Sequence, residues 1–158
     1  MRSEWTALPD AVRAAVAERV GGIIGVYPAP GGNHAEIAST VIGSTDKVFV
    51  KAASADLGVR SLRYELAVTK AIDGYPPAIL WHFESDGWLV VGAERLDGPH
   101  PDLSPGSPDL DVLAVAMKGL QETPAPGVPL FTPGAGSASR IRGWTATRSC
   151  TPTSTRPT

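Results

Sequence analysis

The chain has 158 residues, 42% of them hydrophobic, and a mean hydropathy of −0.01. That allows one ordinary domain with a sizeable core and excludes a chain disordered throughout. A net charge of −2 and a pI near 5.9 give no global attraction to nucleic acid or to an anionic membrane, so neither partner is expected. One cysteine, Cys150, leaves no internal disulfide; with no apolar signal core and no run near the ~20 apolar residues of a membrane span, the expected compartment is the cytoplasm.

Pro9 and Asp10 suit a helix start, and Val12, Val16 and Val20 recur at helical spacing until Gly21-Gly22 stops the pattern. Ile23 to Tyr27 reads as a short strand broken by Pro28 and Pro30. Glu36 to Ile42 alternates, with Ile37 and Val41 on one face. The turn Gly43-Ser44-Thr45-Asp46 then leads into Val48-Phe49-Val50, so the two runs predict a hairpin. Leu57 to Asp73 predicts a helix with the stripe Val59, Leu62 and Leu66, closed by Gly74 and Pro76-Pro77. Ala78 to Phe83 and Trp88 to Glu94 predict a second hairpin around Glu84-Ser85-Asp86-Gly87. Leu96 to Ser107 is too rich in proline and glycine for regular structure. Ser107-Pro108-Asp109 supplies a cap, an N1 proline and an acidic first turn for a helix striped by Leu110, Leu113, Met117 and Leu120.

Helix, hairpin, helix, hairpin, linker, helix is the order of an α+β fold: a small antiparallel sheet with a flanking helix, a linker, one further helix and a tail. The expected divisions are 1–22, an N-terminal helix; 23–98, the sheet and its helix; 99–126, linker and helix; and 127–158, a tail. The tail differs in kind. All 16 acidic residues lie between Glu4 and Glu122, whereas residues 134–158 hold four arginines and six threonines and no acid. Scattered arginines make a poor nucleic-acid cluster, and disorder is the expectation there.

The chemistry-bearing run is Lys47-Val48-Phe49-Val50-Lys51, a strand ending in lysine, preceded by the glycine turn Gly31-Gly32-Asn33 and followed by a helix carrying Glu65. Phosphoryl transfer needs a cation on the nucleotide phosphates, and a strand lysine oriented by a helix carboxylate supplies one. The turn could add backbone N–H groups to the phosphates, although it lacks full G-x-G-x-x-G spacing. Each feature has an ordinary structural reading too: a strand-end lysine, a surface glutamate, a loop. His34, His82 and His100 have no metal-ligand spacing, and Ser104 and Ser107 sit in a loop without a nucleophile elbow.

Taken together, Val48-Phe49-Val50-Lys51, Arg63-Tyr64-Glu65, Pro77-Ala78-Ile79-Leu80-Trp81, Gly87-Trp88-Leu89-Val90-Val91, Glu94 to Gly98 and His100 to Leu110 resemble the N-terminal part of the aminoglycoside phosphotransferase family. The resemblance runs roughly from Gly25 to Pro126. It implies a protein-kinase-like N-terminal lobe, and ATP- or GTP-dependent transfer of phosphate to the hydroxyl of a small molecule, with Mg2+. By that resemblance Lys51 binds phosphate, Glu65 partners it, Gly31, Gly32 and Asn33 cover the nucleotide, and Glu94 to Leu96 form the hinge that meets the adenine edge.

The family's later half carries an H-x-D-x-x-x-x-N loop and a metal-binding aspartate. This chain has no aspartate after Asp111, so it reads as a truncated member in which no residue is assigned a catalytic or metal-binding role. A shifted coding frame in the tail offers one reason. Joining the third base of each codon to the first two of the next turns Trp144–Thr145 into aspartate and Cys150–Thr151 into histidine or tyrosine. From there D-G-D-P-L-L-H-T-D-F-N-P-S-N is one permitted reading, and it ends on the family's loop spacing. The competing expectations are a nucleotide-binding pseudokinase or interaction module without catalysis, and a remnant that binds nothing.

Overall fold

The computed structural model describes residues 3–31, 34–72 and 74–124. After a single 3-10 turn at Trp5–Ala7, the elements are α1 (Asp10–Arg19), β1 (Ile23–Pro28), β2 (Ile37–Gly43), β3 (Lys47–Ala53), α2 (Asp56–Ala71), β4 (Ile79–Ser85), β5 (Trp88–Glu94) and α3 (Asp109–Glu122). The fold is α+β. Five antiparallel strands form one sheet in the order β1-β2-β3-β5-β4. The second hairpin therefore joins the first through β3 and β5, with Lys51 opposite Val91 and Phe49 opposite Ala93.

Alternation along β3 decides what each face of the sheet does. Val48, Val50 and Ala52 point to one side, where they meet Ile37, Val41 and Val90 and are covered by Leu8, Val12, Val16 and Val20. The helical spacing of the α1 valines is what lets a single helix seal that face. Each fully buried valine contributes about 1.5–3 kcal/mol of transfer free energy. The helix thus shares one core with the sheet. Arg19, in its last turn, lies 4.3 Å from the centroid of the Phe83 ring and covers the β4 edge.

On the opposite face α2 covers only one end. Leu62 is buried with Ala53, Leu89 and Val91, flanked by Val59, Leu66 and Ile79. The helix presses so close to β3 that a Cβ at Gly58 would stand 2.7 Å from that of Ala53, so only glycine fits its first turn. At the far end of this face Tyr27 and Thr40 line an open cavity to which no helix of the described residues contributes, and Phe49 lies between that cavity and α2.

The boundaries differ from the sequence expectation in small, explicable ways. β4 runs on to Ser85, so the hairpin turn is the two residues Asp86 and Gly87, both with positive φ (49° and 77°), the geometry that matches strand twist. α2 ends at Ala71, with Asp73 outside the described residues. Ser107 caps α3 as its sequence suggests, its Oγ accepting from the Asp109 N–H at 3.2 Å. The α3 stripe, however, is not a core face. No residue of α3 is buried, and the stripe residues Leu113, Met117 and Leu120 are 42%, 53% and 37% exposed. The expected tail, 127–158, lies outside the described residues. Among the described residues no helix is long and apolar enough to cross a membrane.

Candidate functional site

Period-2 alternation puts Lys51 on the same face as Phe49, opposite the sealed core, and in reach of α2. Glu65 follows Leu62 by three residues, so the contact that anchors the helix also turns Glu65 toward the sheet. Lys51 Nζ lies 2.6 Å from Glu65 Oε1, and the two side chains remain 30% and 36% exposed. The ammonium is 5.9 Å from the Phe49 ring centroid. An ion pair about one-third exposed contributes little to stability. What it does supply is a cation of fixed position with N–H donors still open to solvent.

The position of Glu65 depends on where α2 begins, and that is set by a residue outside the helix. Ala55, at the N-cap, has no side-chain oxygen to offer. Glu36 caps the helix in its place. Its carboxylate accepts the backbone N–H of Ser54 at 2.8 Å and of Ala55 at 2.7 Å, and the Ser54 hydroxyl at 3.1 Å. Burial pushes the Glu36 carboxyl up, but these hydrogen bonds outweigh it and hold the group below the usual glutamate value.

Two cavities open on the cleft face. The first, about 440 Å³, lies between α2 and the sheet and is lined by Lys51, Glu65, Tyr64, Val68, Phe49 and Pro77 among others. The second, about 920 Å³, lies between the Tyr27–Gly31 turn and the Glu94–His100 segment. Phe49, Pro77 and Glu94 border both, so the cation and the post-β5 segment belong to one continuous cleft. Two cross-links hold that segment against the sheet. Lys47 pairs with Asp97 at 2.7 Å, and Arg95 Nε donates to Thr40 Oγ1 at 3.1 Å. The hydrogen bond and charge of Lys47 keep the Asp97 carboxyl below its ordinary value.

Of the residues singled out from sequence, Lys51 and Glu65 are brought into contact, and Gly31, Glu94 and Leu96 border the larger cavity of the same cleft. Gly32 and Asn33 lie outside the described residues. Ser104 donates to Asp102 within a local turn, and no group of three or more His, Cys, Asp or Glu able to hold a metal occurs among the described residues. Two contributors carried no sequence signal of their own, Thr40 and the Glu36 cap; Arg95 lay within the expected Glu94–Leu96 hinge, but nothing announced its bond to Thr40. Phe49 could have been found, because the alternation that aims Lys51 aims it too. No family model matches the chain, and no curated protein or solved structure is significantly similar to it.

Proposed function

We propose that this cleft binds a nucleoside triphosphate, and that the chain carries the phosphate-anchoring part of a small-molecule kinase of the aminoglycoside phosphotransferase type. The observation that carries the reading is the 2.6 Å Lys51–Glu65 pair, set on a rigid strand and a capped helix at the mouth of a cleft. In it Lys51 neutralises phosphate oxygens, Glu65 fixes the ammonium, and the half-buried Phe49 ring offers a flat apolar surface between the two cavities, suited to a base. The bound nucleotide would supply the transferable phosphoryl group. No group of three or more His, Cys, Asp or Glu gathers among the described residues, so in this reading Mg2+ would be held mainly by the nucleotide phosphates.

The chain by itself transfers no phosphate under this reading, because its sequence carries neither the H-x-D-x-x-x-x-N loop nor the later metal-binding aspartate that position the nucleophile and the metal in that family. Isothermal titration of the full chain with Mg-ATP and Mg-GTP tests the binding claim. At least one nucleotide should bind, and Lys51→Ala should weaken it tenfold or more. Absence of binding to both, or an unchanged Lys51→Ala variant, refutes the reading. A second reading, an interaction module, is favoured by the uncovered apolar side chains of α3. It predicts no nucleotide binding.

A further inference from the structure

At its sheet end the larger cavity is bordered by the Arg95 guanidinium and the Thr40 hydroxyl, with the Glu94 and Asp97 carboxylates also on its lining. Arg95 leaves the end of β5 and reaches across β3 to Thr40 on β2, lying along the same face as Phe49. Its bond to Thr40 uses Nε alone. The two terminal nitrogens carry four more N–H donors, and a guanidinium has no acceptor. Among the described residues, the hydrogen bond to Thr40 is the one that Arg95 makes. The Thr40 oxygen already accepts from Arg95, which leaves its hydroxyl hydrogen free to donate. Of the two carboxylates nearest in sequence, Glu94 borders the same cavity and makes no hydrogen bond to Arg95 among the described residues, and Asp97, although it feels the Arg95 charge, is held by Lys47 at 2.7 Å. The Arg95–Thr40 contact is also part-buried, so it is screened less than a surface contact.

A planar base lying on Phe49 would present one edge to Arg95. Adenine offers N7 beside an amino group, one acceptor and one donor, and the donor would face donors. Guanine offers O6 and N7, two adjacent acceptors that match the guanidinium fork. We infer that Arg95 makes this cleft selective for 6-oxopurine nucleotides, guanine and hypoxanthine, over adenine. The inference rests on the nucleotide reading above and names which nucleotide it takes. Paired recognition of this kind discriminates by roughly ten- to a hundredfold.

The test is calorimetric titration of the full chain with Mg-GTP, Mg-ITP, Mg-ATP and Mg-7-deaza-GTP. GTP and ITP should bind within about threefold of each other, since ITP keeps O6 and N7 and lacks only the 2-amino group. ATP should bind at least tenfold more weakly, and 7-deaza-GTP should fall between. Arg95→Ala should bring GTP down to the ATP level, whereas Lys51→Ala should weaken both alike and preserve their ratio. ATP binding as well as GTP overturns the selectivity while leaving the nucleotide site standing. No binding by any of the four overturns both. The comparison among ligands on the unmodified chain stands even if the Arg95→Ala protein does not fold.

Discussion

The two faces of the sheet are made from the same strands and do opposite things. On the α1 face every other residue of β3 is a small apolar side chain with almost no exposure, and one helix covers the whole array. On the other face α2 covers one end, and the residues between are a lysine, a phenylalanine and a threonine. The first face holds the fold together, and the second leaves polar groups fixed but unburied. A half-covered face is where a binding site can form without destabilising the core.

The contrast can be broken most severely at neighbouring positions of β3. Val50→Asp places a carboxylate in the sealed core, where no partner exists among the described residues. It should cost more than about 4 kcal/mol and abolish cooperative unfolding in urea. Leu62→Ala removes the anchor of α2 and should cost about 2–4 kcal/mol by thermal denaturation. It should also weaken nucleotide binding, because Glu65 rides on the same helix. If stability falls while binding is untouched, the link between anchor and site is wrong.

Glu36→Gln sharpens the comparison at smaller scale, with a loss of about 1 kcal/mol expected for a weakened cap. Its pH dependence has a definite sign. The folded carboxyl titrates below its unfolded value, so its stabilisation is present above the ordinary glutamate range and disappears as pH falls through the depressed one. Urea midpoints between pH 6 and pH 3 should therefore drop less in Glu36→Gln than in the unmodified chain. Equal slopes would remove Glu36 from the account. The smallest stability effect belongs to Lys51→Ala, under about 1 kcal/mol, because the pair is about one-third exposed and partly screened by solvent. A large loss there would mean that the pair is structural rather than functional.

Much of the fold was legible because its signals are local. The α1 valines, the Asp86-Gly87 turn and the Ser107 cap each lie within a few residues of what they determine. The pairing of β3 with β5 was not legible, since it joins segments separated by a helix and a strand, and nothing in either strand's pattern names its partner. The same holds for the site. Lys51 and Glu65 are 14 residues apart on adjoining elements, close enough for spacing to suggest the contact. Arg95 and Thr40 are 55 apart, and only the completed sheet brings them together. Glu36 holds the two residues that lead into α2, 18 and 19 positions further on, a role no capping motif announces. For α3 the stripe was visible and its exposure was not, because periodicity says which residues share a face and never whether something covers it.

Amide NMR mapping of Mg-GTP added to the isotopically labelled full chain tests the central claim most directly. Shifts concentrated at Phe49, Lys51, Glu65 and the Glu94–Leu96 segment, with Val12, Val16 and Val50 unmoved, are the expected result. Perturbations centred on the α1 side, or none anywhere at saturating nucleotide, would contradict it.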